Sequence, residues 1–114
     1  MLKKNFIILE KLITHDLKLI EYFQADVTKY KLLIIIFQSY YQNDFKTIEE
    51  ILELIPNKIS SRAHKLNCIT DATKKNYLLK ESLNSDMRKK YLKPSTKLIA
   101  EFEEYMLLID NKVK

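Results

Sequence analysis

The chain has 114 residues, 46% of them apolar, a formal charge of +5, one cysteine and two histidines. That length suits one domain, residues 1–114, built on one core. A lone Cys68 excludes an internal disulfide and a cysteine-based zinc cluster, and the longest apolar run, Leu32 to Phe37, is far short of the roughly 20 residues of a membrane span.

A first helix is expected from Asn5 to Gln24. Phe6, Leu9, Leu12, Ile13, Leu17, Ile20 and Phe23 recur at three- and four-residue steps and so share a face. Ile7, Ile8 and Leu19 widen that stripe, which fits either a central helix touched on two sides or a dimer interface. Near the N-terminus, Glu10, Lys11 and Asp16 interrupt the apolar residues that follow Lys3 and Lys4, so a secretory leader is not expected and a cytoplasmic protein is.

Asp26 or Thr28 is placed to cap a second helix, Tyr30 to Gln42. Its β-branched run also suits a buried strand, but Tyr30, Leu33, Ile34, Phe37, Tyr40 and Tyr41 keep helical spacing across the whole segment. After the turn Asn43–Lys46, Thr47 and Glu50 form a capping box for a short helix, Ile48 to Ile55. Pro56 ends it by pushing Ile55 out of the α region.

Pro56-Asn57-Lys58 then reads as the turn of a helix-turn-helix spanning 47–75. The next helix, capped by Ser60 or Ser61, buries Leu66, Ile69, Ala72 and Thr73, and Cys68 is expected to be a small, partly buried residue on it. At about 100° per residue, Ser60, His64, Asn67 and Asp71 fall on the opposite side, near Ala63 and Lys74. Arg62 and Lys65 flank the inner face with chains long enough to snorkel outward. Asn76 suits the left-handed residue past the helix end.

Tyr77–Ser82 and Arg88–Lys93 read as two strands around the turn formers Asn84, Ser85 and Asp86, giving a hairpin over 77–93. Lysines on the return strand also guard a sheet edge. Pro94, with Ser95 or Thr96 as cap, opens a last helix, 96–110, whose apolar face is Leu98, Ile99, Phe102, Tyr105, Met106 and Ile109. The fold class is therefore mainly α with a small β-hairpin: a winged helix-turn-helix flanked by N-terminal helices over 1–42 and a C-terminal helix.

Charge is concentrated on the middle of the chain. Between Lys58 and Lys97, eleven basic residues face three acidic ones, Asp71, Glu81 and Asp86, for a local net of +8 in a chain of +5. Such a patch is the footprint of a surface that meets phosphates. On that basis Ser60, Ser61, His64 and Asn67 are candidates for base or nearby phosphate contacts, and Lys58, Arg62, Lys65, Lys74, Lys89 and Lys90 for phosphate contacts. There is no glycine in the chain, hence no Gly-rich phosphate loop, and the two histidines sit on different helices. Enzymatic activity, a cofactor and a metal site are not expected.

The run from Thr47 to Thr96 resembles the winged helix-turn-helix domain of MarR-type regulators, through T-I-E-E-I-L, S-S-R-A-H-K-L-N-C-I-T-D-A, K-K-N-Y-L, S-D-M-R-K-K-Y-L and P-S-T. Asn76 stands where that family usually has glycine. The resemblance implies that Asp86 braces the wing and that Arg88 approaches the minor groove. It implies double-stranded DNA as partner and a transcriptional role, and leaves a small-molecule effector open. The broad apolar faces of the first and last helices point to a homodimer. A second reading is a winged-helix docking module that binds protein through Tyr30, Tyr40, Tyr41 and the Glu-rich last helix rather than DNA.

Overall fold

The structure is a computed structural model describing residues 17–83 and 86–113, with side chains 83–88, 112 and 113 left out of the description. The expected helix residues 5–16 and the turn residues Asn84 and Ser85 lie outside the described residues. Among the described residues, five helices and one hairpin follow in order: α1 (Lys18–Gln24), α2 (Val27–Tyr41), α3 (Ile48–Leu54), α4 (Arg62–Lys74), β1 (Leu78–Leu83), β2 (Asp86–Pro94) and α5 (Thr96–Val113).

Helix α2 starts three residues earlier than expected because Asp26 is its cap. One carboxylate oxygen accepts the Thr28 and Lys29 amides at 2.6 and 3.3 Å, which satisfies donors that the first turn leaves orphaned. Past its end, Asn43 takes φ +54°, and Asp44 N–H reaches the Ser39 carbonyl. The L-L-I-I-I-F run is helical: Leu32, Leu33, Ile36 and Phe37 are almost fully buried, and just beyond it the buried Ser39 hydroxyl donates to the Ile35 carbonyl at 2.8 Å.

Both arms of the capping box on α3 are present, with Thr47 N–H to Glu50 Oε1 at 3.0 Å and Glu50 N–H to Thr47 Oγ1 at 3.2 Å. Ile55, before Pro56, is extended at φ −90°, ψ 116°. Of the two serines before α4, Ser61 is the cap and accepts His64 N–H. At the other end Asn76 takes φ +62°. Tyr77 N–H bonds to the Ala72 carbonyl and Asn76 N–H to that of Thr73, the paired bonds of a Schellman motif. That motif turns the chain sharply from α4 into the hairpin.

β1 and β2 are antiparallel, pairing Leu78 with Pro94, Lys80 with Leu92 and Ser82 with Lys90, and the register shifts between Ser82 and Leu83. Leu78 and Leu92 point into the core at the hairpin base, where Ser95 N–H also bonds to the Tyr77 carbonyl. On its other side β2 meets the residues before α3: Thr47 bridges Tyr91, and Leu92 N–H reaches the Lys46 carbonyl at 3.2 Å.

The Ser95 hydroxyl caps α5 by accepting Leu98 N–H. The helix buries Leu98, Phe102, Tyr105 and Leu108, spaced four, three and three residues apart. Met106, expected inside, is 44% exposed; Leu108 takes its place on the inner stripe. Phe102 stacks on Phe37 of α2 with ring centroids 3.8 Å apart, and Leu19 N–H bonds to Glu101 from α1. Among the described residues, no helix is long and apolar enough to cross a membrane.

Candidate nucleic-acid interface

The outward side of α4 is set by what its inner side must bury. Lys65, Cys68, Ile69 and Ala72 are the buried residues of the helix. With Lys65 and Cys68 inside, the exposed stripe is Ala63, Asn67, Thr70 and Lys74, spaced four, three and four residues apart. Asn67 therefore faces outward, as expected. Thr70 was missed by the sequence reading, which placed Asp71 there instead. The signal was the buried cysteine: counting Cys68 as an anchor rotates the stripe by one position.

His64 and Asp71 turn toward the N-terminal helices. His64 Nε2 lies 3.0 Å from Asp26 Oδ2, at the start of α2. Asp71 accepts a hydrogen bond from the Tyr22 hydroxyl of α1 and sits 3.7 Å from Lys75 Nζ. The Tyr22 bond, with Lys75 and Lys29 nearby, holds the Asp71 carboxyl below the usual aspartate value. Burial and the Asp71 partner push the Tyr22 hydroxyl well above the usual tyrosine value. Tyr22 is further held edge-on to Tyr77 at 5.0 Å and under Lys29 Nζ at 4.2 Å. His64 keeps a partly exposed ring, but its polar edge is committed to Asp26 rather than to the outward stripe.

Lys65 corrects an expectation outright. It is 3% exposed, and its ammonium donates to the Leu52 carbonyl at 3.0 Å and to Asn57 Oδ1 at 2.8 Å. Leu52 is in the last turn of α3, where carbonyls lack intrahelical partners and a cation is favoured by the dipole. Lys65 thus holds α3, the intervening turn and α4 together, and is withdrawn from any phosphate. Ser60 is corrected likewise: its Oγ is buried and has no hydrogen-bond partner among the described residues, so the hydroxyl does not face outward.

The remaining candidates lie at the surface. Lys58 is exposed in the turn before α4, and Ser61 is exposed at its cap. Arg62 is exposed but forks onto Glu49 of α3 at 2.6 and 3.3 Å; the guanidinium holds the Glu49 carboxyl below its usual range. A phosphate at Arg62 must compete with that carboxylate, though so exposed a pair resists weakly. Lys74 ends the stripe. On the hairpin, Lys89 and Lys90 are exposed, and Lys90 Nζ donates to Ser82 Oγ across the strands at 2.7 Å. Asp86 and Arg88 stand in β2, and their side chains lie outside the described ones.

The outward stripe on α4 thus carries one amide, one hydroxyl and one terminal lysine, and a tight turn joins that helix to a hairpin bearing exposed lysines. Small and hydrogen-bonding side chains on a helix, flanked by cations, are what a DNA groove accepts. No family model matches the chain, and no curated protein or solved structure matches it.

Proposed function

We propose that the chain is a sequence-specific double-stranded DNA-binding transcriptional regulator of the MarR-like winged-helix kind, with α4 as recognition helix and the hairpin as wing. The observation that carries this is the exposed stripe Ala63–Asn67–Thr70–Lys74 on a helix whose inner face is locked by Lys65. Asn67 is the side chain suited to bidentate recognition of adenine, worth about 1–3 kcal/mol of discrimination. Lys58, Arg62, Lys74, Lys89 and Lys90 set register on phosphates. The bridge between Thr47 and Tyr91 supports the winged-helix assignment, because it ties the start of α3 to the outer side of the hairpin. No enzymatic step or cofactor is part of the proposal, and the cytoplasm is its site of action.

A homodimer goes with it. Exposed Tyr41, Met106 and Leu107 lie on neighbouring surfaces of α2 and α5. Beside them runs an apolar groove of about 420 Å³ lined by Tyr30, Ile34, Phe37, Tyr105 and Ile109 among others. The same groove favours the second reading, in which the chain is a docking module for another protein. Selection of bound duplexes from a random pool separates the two. Enrichment of a palindromic site supports the dimeric regulator; recovery of DNA no better than a bead control, from folded protein, supports docking.

A further inference from the structure

Asp26, His64 and Cys68 come from distant parts of the sequence and converge on one point. Asp26 precedes α2, while His64 and Cys68 are one turn apart on α4. His64 Nε2 is 3.0 Å from Asp26 Oδ2 and 3.7 Å from Cys68 Sγ, and the three donor atoms all lie within 4.8 Å of one another. We propose that these three residues form a site for a divalent transition-metal ion of the zinc class.

The distances suit it. A tetrahedral ion with bonds of about 2.0–2.2 Å to nitrogen or oxygen and about 2.3 Å to sulfur holds its donor atoms roughly 3.3–3.6 Å apart. Both distances measured to His64 Nε2 are within half an ångström of that range, and the third side of the triangle is no longer than 4.8 Å. The carboxylate is already oriented. Its Oδ1 is fixed by the Thr28 and Lys29 amides, which leaves Oδ2 aimed at the histidine and free to ligate. Fixing a ligand through its second atom is how metal sites hold a carboxylate in place.

The donor set selects the ion. A thiolate with an imidazole and a carboxylate suits zinc, cobalt, nickel or copper and disfavours magnesium and calcium, which take oxygen ligands. Two anionic ligands neutralise the dication. The His64 and Asp26 side chains are 45% and 32% exposed, with the cysteine buried beneath them, so an ion enters from solvent and keeps a fourth position for water. Burial keeps the free Cys68 thiol protonated; binding expels that proton to the buffer as the sulfur–metal bond forms. Sequence spacing gave no sign of this site, because the third ligand is 38 residues from His64. The site is independent of whether the chain binds DNA.

The test is titration of the reduced, metal-free full chain with Co²⁺ alone, read by absorption. One ion per chain is expected, with a thiolate-to-cobalt charge-transfer band in the near ultraviolet and visible bands of tetrahedral intensity, bleached by Zn²⁺. Cys68→Ser should lose the charge-transfer band, and His64→Gln and Asp26→Asn should each weaken binding about tenfold or more. Asparagine caps a helix as well as aspartate does, so Asp26→Asn tests ligation in a folded protein even if the Cys68 variant melts. Absence of saturable cobalt binding by the folded wild-type chain overturns the proposal. So does unchanged affinity in folded His64→Gln and Asp26→Asn.

Discussion

Lys65 shows how a single side chain decides what its helix presents. Its ammonium fills the carbonyl that α3 leaves open and binds Asn57 in the turn. Replacing Lys65 with methionine keeps the length and removes the donors. The buried Leu52 carbonyl and the Asn57 side chain then lose their partner, and stability in chemical denaturation should fall by about 1–3 kcal/mol; a variant as stable as wild type would show that the ammonium is not structural. The Tyr22–Asp71 pair makes a prediction in pH. Asp71 has a folded value below the ordinary aspartate value of about 3.9. Its contribution is therefore present above that value and lost as pH falls through the lower folded one. Tyr22, raised in the fold, contributes below the ordinary tyrosine value of about 10 and loses that as pH rises through its folded value. The stability gap between wild type and Asp71→Asn should be open at neutral pH and close in acid below pH 4; a gap constant down to pH 2 would remove the ion from the account. None of this was legible in the sequence. Tyr22 and Asp71 are 49 residues apart, and a lysine beside a serine-rich cap looks like a surface residue until its helix is rotated into place.

Helix ends were the most legible elements, because caps are local chemistry. Thr47 with Glu50, Ile55 before Pro56, and Asn76 past α4 can each be read from neighbouring residues, and each is found in the structure. Asn76 bears a left-handed backbone that costs most side chains about 1–2 kcal/mol. Asn76→Ala should therefore lower stability by about 1 kcal/mol, while Asn76→Gly should hold or raise it; thermal denaturation of the two variants checks this, and equal melting would deny the strain. Helix faces were less legible. On α4, buried Lys65 and Cys68 contradict what residue type alone suggests, and the stripe moved by one position. On α5, two neighbouring leucines take opposite sides, Leu107 63% exposed and Leu108 9%, a choice made by packing rather than by hydrophobicity. In the proposed DNA complex the roles on α4 divide. Asn67→Ala should relax preference at one base position, costing about 1–3 kcal/mol on the preferred site and little elsewhere. Lys74→Ala should weaken all duplexes alike and reduce the salt slope by about one. Binding isotherms on matched and scrambled duplexes would expose the opposite pattern.

At the scale of the molecule, charge and packing are separated. The apolar residues of all five helices and the hairpin base meet in one core, in which Phe37 stacks on Phe102, and the exposed cationic side chains over 58–97 lie on α4, its preceding turn and the hairpin. That mainly helical plan with a hairpin was legible, since 3.6-residue periodicity gives way to short β-type runs after Asn76. The concentration of charge over 58–97 was legible as well. What the charge meets was not, because exposed lysines look the same facing water or phosphate. Salt decides between them. In the proposed DNA complex, five phosphate contacts, from Lys58, Arg62, Lys74, Lys89 and Lys90, would release about one counterion each. The most direct measurement is fluorescence anisotropy of a labelled duplex with the wild-type chain across a range of salt concentrations. The log–log slope of affinity against salt should be roughly −4 to −5; no binding at micromolar protein in low salt, or a slope near zero, would contradict the DNA-binding assignment.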